Sequence, residues 1–480
     1  MTFSTRSTAN DNGESSLMTA VVNAVHRVVE SKVGEADFGA REAAALAVAN
    51  EAVRQLLERE LQAIADGQSD RVRIDGQLHR RHSTGDVTYH SLCGPLSIRR
   101  STYRLAGVRN GPTRVPVELI ARLAEHTTPA LAYSIAQGYA KAPMRSLDED
   151  LRAAHRVPPS RSTLERVAKA IGTTAKDHVW RIEQVLRDAE HLPEGATAIS
   201  LGLDRTSIPM EEARTDAEGP PRRRRAPRIR VAPPPVTVHY RMAYVGTVSV
   251  TNAEGEVLVT RRYAAPAHDS PKEVLARMMA DLDRALVQNP TLHVGVVQDN
   301  APEMWNLMRE ALRAQPRVGK VHEVVDRYHF MQRLASALEV VEPDEKERRL
   351  QLARWRKALD RNDRTIHRIR KYFDLDRHYG TRVRDWETWN AIDKIIGGYV
   401  IRYEHFQYAA VAKLGLPTGS GVTEGACKSL IAARAKRSGQ RWRARGISAV
   451  LALRSLLESA RLPPFWNHFV SRYAANCEAA

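Results

Sequence analysis

The chain has 480 residues, 43% of them hydrophobic, enough for roughly two to four domains with real cores at about 100 to 200 residues each. Its formal charge of +17 calls for a polyanionic partner, and because no apolar run reaches the roughly 18 residues of a membrane span, nucleic acid is favoured over an acidic membrane surface. The polar start MTFSTRSTANDNGESSL lacks the apolar core of a secretory signal, so the expected location is cytoplasmic, and Cys93, Cys427 and Cys477 stand too far apart for a zinc or disulfide framework and read as reduced and incidental.

From about 16 to 65, alanine, valine, glutamate and leucine at helical spacing predict two amphipathic helices, able to dimerise or to pack as a bundle. DVTYHSLCGPLSIRRSTYRL predicts a small basic hairpin about a Gly94-Pro95 turn, with Arg99, Arg100 and Arg104 on its second strand. In MRSLDEDLRAAHRVPPSRSTLERVAKAIG, two capping-box patterns, Ser146 to Glu149 and Ser162 to Glu165, flank a Pro158-Pro159 break. That is helix, turn, helix: either a plain helical hairpin or a DNA-reading one with Ser160, Arg161, Ser162 and Arg166 toward a groove.

Between 196 and 330 the pattern becomes three strands, a helix from about Pro271 to Val287, a strand, a helix from Pro302 to Ala314 and a last strand, which is a mixed α/β sheet. EGPPRRRRAPRIRVAPPP, between the first two strands, cannot pack a core and reads as a flexible hairpin extension, solvated or touching phosphates. A helical block runs from Pro343 to Ala412, and the final ISAVLALRSLLESARL is an amphipathic helix expected to pack back on the sheet. The expected architecture is multidomain α+β: a helical region at 1–70, a basic hairpin and helix-turn-helix at 71–190, an α/β core at 191–335, a helical insertion at 336–416, and the core's final helices at 417–480.

Open sheets place chemistry beyond the carboxyl ends of their strands, and three strands here read as ending in aspartate: Asp204, Asp299 and Asp326. One such aspartate is usually a helix cap, and Asp299 is placed to cap the helix at Pro302. Several converging on one sheet edge would repel and raise one another's pKa unless a divalent metal held them. The fourth acid is Glu424 in GSGVTEGACKSLIAARAKRSGQRW, after which no acidic residue occurs until Glu458, while nine basic residues lie from Gly425 through Arg461. On its own Glu424 reads as a first-turn acid behind a Ser420 N-cap, paired with Lys428. Beside the strand aspartates it reads as a metal ligand, with the basic segment holding a polyanion. Two Mg2+ ions about 3.5 to 4 Å apart would then drive phosphodiester displacement. Lys428, Arg434, Lys436, Arg437 and Arg441 are the expected phosphate contacts, and Trp442 the expected stacking surface for an unpaired base.

LGLDRTSIPM, VVQDNAPEMW, DRYHF and GSGVTEGACKSLIAARAKRSGQRW, in that order and context, resemble the RNase H-like DDE transposases of bacterial insertion sequences, most closely the IS-Kra type, with features of mutator-like enzymes. The resemblance runs from about Thr84 to Leu457. It implies Asp204, Asp299 and Glu424 as the catalytic, metal-binding triad, two Mg2+ or Mn2+ ions, and Asp326 with His329 as the near-site D-x-x-H pair. It also implies a homo-oligomer that binds the terminal inverted repeats of its element and cuts and joins DNA at the nucleoid of a bacterial cell. The alternatives are an RNase H-like nuclease without joining activity and a transposase-derived DNA-binding regulator. AGVRNGPTRVP lacks the cysteine pairs of a zinc ribbon, and the resemblance assigns no role to the insertion at 219–235.

Overall fold

A computed structural model describes residues 38–213, 236–266, 268–375, 383, 385–400 and 402–480, with Thr19, Val22, Asn23 and Arg27. The proline-arginine run at 219–235 and most of 16–37 lie outside the described residues. The fold is mixed α+β, with two five-stranded sheets among the described residues. No helix among the described residues is long and apolar enough to cross a membrane. The chain forms two compact units, Met1–Gly172 with Pro463–Ala480, and Thr173–Leu462. The expected final segment 417–480 is thus divided: its last residues belong to the first unit, because the C-terminal strand Cys477–Ala479 pairs antiparallel with β1, Arg71–Ile74.

In the first unit that strand, β1, β2 (Gln77–Ser91), β3 (Gly94–Leu105) and β4 (Thr113–Arg114) form an antiparallel meander. The β2–β3 turn falls at Leu92-Cys93 rather than Gly94-Pro95, since Ser91 already pairs with Gly94 and its hydroxyl bonds the Gly94 carbonyl at 2.8 Å. The helix Phe38–Asp66 covers the β3 edge. Glu58 accepts from the Ser97 amide at 2.8 Å, and Gln62 accepts from the Arg99 amide at 2.9 Å. The spacings match: four helical residues rise about 6 Å and two strand residues about 6.6 Å. Helices Met144–Ala153 and Arg161–Asp177 follow, but the expected caps shift. The first helix starts after Pro143 instead of Ser146, and at the second Ser160 takes the place of Ser162, its hydroxyl accepting from the Thr163 amide at 3.3 Å. Buried Asn50 ties the long helix to this pair, accepting from Arg156 at 3.1 Å and from the Cys93 thiol at 3.5 Å.

In the second unit the sheet order is β7-β6-β5-β8-β9, with β5 Ala198–Ala213, β6 Val236–Thr251, β7 Val257–Ala265, β8 His293–Gln298 and β9 Val321–Val325. The first three strands are mutually antiparallel, while β8 and β9 run parallel to β5. Parallel neighbours need crossovers, and the helices Pro271–Gln288 and Pro302–Arg313 supply them. Ser270 caps the first of these by accepting from the Lys272 amide, with Pro271 pre-set for the first turn. β5 does not end at Asp204 as expected; it continues to Ala213, paired with β6 throughout. The expected insertion at 336–416 is helical, but its buried apolar residues from Ala337 to Leu416 share one cluster with the sheet. Tyr408 donates to the Val325 carbonyl at 3.1 Å and Phe406 packs on Phe330 at 4.6 Å, so this block extends the core instead of forming its own.

Candidate active site

β5 pairs with β8 only from Ala198 to Leu201. Further along, the Glu211 amide donates to the Trp442 carbonyl at 2.7 Å and the Trp442 amide to the Pro209 carbonyl at 3.0 Å. Between these two pairings Asp204 lies on a stretch of β5 whose second edge has no strand partner among the described residues. Its Oδ1 accepts from the Arg205 amide at 2.7 Å and its Oδ2 from the Cys427 thiol at 3.3 Å. Asp299 follows β8 directly. It does not cap the next helix, whose N-cap is Ala301 without a side-chain bond. Asp326 follows β9 and does cap: Oδ1 accepts from the His329 amide at 2.7 Å.

Glu424 rides on the helix Gly421–Ala426, which lies against β5 and β6 at Gly202. A Cβ at Gly202 would sit 2.0 Å from Thr423 Oγ1. Only glycine permits that approach, and it lets the Thr423 and Thr247 hydroxyls bond at 2.8 Å. The helix continues as a π-helical turn, Cys427–Ala432, a form that recurs at functional sites. The Ser420 amide at its head donates to Asp326 Oδ2, linking the end of β9 to the Glu424 helix.

His329 stands among the acids. Nδ1 is 2.8 Å from Asp299 Oδ1 and 3.0 Å from Asp326 Oδ1, while Nε2 is 3.7 Å from Glu424 Oε1. The ring plane aims Nδ1 at Asp326 Oδ1, which leaves Asp299 Oδ1 buried and without a hydrogen-bond partner. Burial pushes the Asp299 carboxyl up to about 6; the charges of Asp204, Asp326 and Glu424 add to this and His329 opposes it. Burial also acts to raise Asp326, but the Ser420 and His329 amides outweigh it and hold that carboxyl below the usual range. Burial beside Asp204 pushes the Cys427 thiol up, so it remains a protonated donor.

Ligand atoms of Asp299, Asp326 and His329 fall within 4.8 Å of one another. This is a different trio from Asp204, Asp299 and Glu424. Asp326, 1% exposed, already spends both oxygens on protein donors, whereas Glu424 has only His329 at 3.7 Å and Lys428 at 3.9 Å. Asp299 and Glu424 are therefore the less committed carboxylates.

The basic residues divide. Lys428, Lys436, Arg437 and Arg441 are exposed, with Lys436 Nζ donating to Thr206 Oγ1 at 2.5 Å, two residues past Asp204. Arg434 and Trp442 are corrected: they are 3% and 9% exposed, stacked on one another at 4.8 Å, and the Trp442 indole donates to the Ala435 carbonyl at 3.0 Å. They brace the basic segment instead of offering it a base-stacking surface. In the first unit Arg99 and Arg161 are exposed, Arg166 pairs with Glu125 at 3.2 Å, and Arg100 is drawn inward to Tyr89 at 3.3 Å and Glu118 at 3.7 Å.

Cys427, read as incidental, is part of the site; its spacing three residues after Glu424, on one helical face, was the available signal. Gln298, beside Asp299, is buried with neither amide atom hydrogen-bonded, and composition offered no signal for it. Comparison of the chain with protein-family models and with curated proteins finds no match.

Asp299→Asn should stabilise the metal-free protein above pH 6. The folded carboxyl binds its proton more tightly than an unfolded one of model value 3.8, so its contribution is most favourable below that value and is lost as pH rises through about 6. With the side chain 43% exposed, the discounted gain at pH 8 is about 1 kcal/mol. Thermal unfolding of both proteins at pH 4 and pH 8 checks this; a variant less stable than wild type at pH 8 refutes it.

Proposed function

We propose that the chain is a DNA transposase whose second unit is an RNase H-like catalytic core interrupted by helices, acting as a metal-dependent polynucleotidyl transferase. The observation that carries this reading is the convergence of Asp204, Asp299 and Glu424, from β5, the end of β8 and a distant helix, so that their charges act together on Asp299. The strand order and directions of the second sheet support it, as does the excess of exposed cations after Glu424.

The residues fit a divalent cation. A buried carboxylate oxygen without a donor, on a carboxyl raised by burial and further by three neighbouring acids, is a site whose electrostatics a cation relieves. Asp204, Asp299 and Glu424 would hold Mg2+ or Mn2+, which supplies activation of the attacking oxygen and neutralisation of charge on the leaving oxygen. His329 is held by Asp326 with its Nε2 toward Glu424 and so orients that carboxylate. Cys427 fixes Asp204 through its thiol, and Lys436 stands beside Asp204 to meet the phosphate backbone. On this reading the first unit, through Arg99, Arg161 and Arg166, recognises the inverted repeats of the element, and copies of the chain assemble on them.

The test is a strand-transfer assay on duplexes made from the DNA that flanks the gene, one intact and one pre-cut at its 3' end, in Mg2+ and in Ca2+. Cutting of the first and joining of the second in Mg2+ are the expected results. Cutting without joining makes the protein a nuclease, and DNA binding with neither makes it a regulator.

A further inference from the structure

The run Arg327–Phe330 begins the helix that leaves β9 at the acid cluster, and three of its four side chains have an evident task. Arg327 turns away to Asp360 and to the Arg356 carbonyl, which it reaches at 3.1 Å. His329 contacts Asp299 and Asp326, and Phe330 is fully buried against Phe406. Tyr328 alone faces outward, 64% exposed, with its ring edge-on to that of His329 at 5.8 Å and 80°.

A single exposed apolar side chain is ordinary and by itself carries nothing. Among the described residues the exposed large aromatics are Phe38, Trp180, Tyr240, Tyr328, Trp386 and Tyr403, and Tyr328 is the one adjoining a residue that touches the acids. The two rings meet nearly at right angles, and with Tyr328 64% exposed most of its ring surface remains in solvent. An aromatic face beside a site for a phosphodiester suits a nucleobase: the phosphate is fixed by charge at the acids, and the adjacent base, once unpaired, has a π-face for the ring to receive.

Resting on the proposed function, we infer that Tyr328 is the stacking platform for an unpaired nucleobase next to the reacting phosphate. Such stacking tolerates any base, so it positions the strand without reading sequence, in contrast to the end recognition assigned to the first unit. It also fills the role expected of Trp442, whose ring is buried under Arg434.

The test uses the full-length protein in Ca2+, so that cutting does not intrude, with a hairpin oligonucleotide carrying a short single-stranded overhang. Each overhang base in turn is 5-iodouracil, which on irradiation crosslinks to an aromatic ring stacked on it. The wild type and Tyr328→Trp should crosslink within the peptide containing residue 328 from one overhang position. Tyr328→Leu should lose that crosslink and bind the overhang about 5- to 150-fold more weakly, while its affinity for the blunt hairpin and its thermal unfolding stay unchanged. A crosslink unchanged in Tyr328→Leu, or wild-type binding that yields none at residue 328, overturns the platform and leaves the proposed function standing. A wild-type protein that binds neither oligonucleotide overturns both.

Discussion

Glu424→Gln should bind DNA as the wild type does and cut it on the order of 10⁴-fold more slowly in Mg2+. The carboxylate sits on a short helix held by other residues: the Thr423–Thr247 hydroxyl pair, the Ser420–Asp326 bond and the Cys427–Asp204 bond. None of these uses Glu424, whose own contacts are long, so folding and the exposed cations survive the change. Asp326→Asn gives a different signature. An amide in place of this buried carboxylate must point a donor at the Ser420 or His329 amide, and mispairing a buried group costs roughly 1 to 3 kcal/mol. It should lower thermal stability as well as activity. Gel-shift, cleavage and melting measurements on both variants separate the roles, and a cleaving Glu424→Gln beside a normally stable but inactive Asp326→Asn would make Asp326 the ligand.

Gly202→Ala should be nearly as damaging to activity although it removes no functional group. The added methyl would meet Thr423 Oγ1 at 2.0 Å, closer than real Cβ contacts come, and Thr247 Oγ1 at a tight 3.0 Å. The helix bearing Glu424 must lift, at an overpacking cost of about 1 to 3 kcal/mol, and a displacement of about 1 Å at a catalytic group is worth roughly 100-fold in rate. Thr423→Ala removes the hydroxyl that clashes. The double variant should therefore recover part of both stability and rate, and a cycle in which the two losses merely add refutes the close approach as the cause.

The elements were legible wherever local pattern fixes them. Valine-rich runs gave β8 and β9, and Pro271 and Pro302 marked the two crossover helices at their first turns. β5 was read as ending at Asp204, yet it runs on through Pro209 to Ala213. Proline is tolerated there because it needs no amide on that edge, and its carbonyl accepts from Trp442. The three strand aspartates could be listed but not sorted, since capping and availability depend on geometry beyond the strand: only Asp326 caps, and only Asp299 keeps a bare buried oxygen. The burial of Arg434 and Trp442 and the Cys427–Asp204 bond were illegible for a simpler reason. They join residues more than 200 apart or turn on which face of an irregular helix meets the sheet.

The pairing of Ile74 with Cys477 has a consequence in time. The partners are 403 residues apart, the difference of their numbers, and the whole second unit lies between them. At roughly 5 to 20 residues per second, a ribosome needs about 20 to 80 s to make that stretch. The second unit can be synthesised and collapsed before the first unit's sheet receives its last strand, and during that interval the outer edge of β1 is an unpaired ladder open to another chain. A nascent protein can therefore have the strands of its candidate catalytic sheet made before the first unit's sheet is closed, and removing Cys477–Ala479 would make that temporary opening permanent.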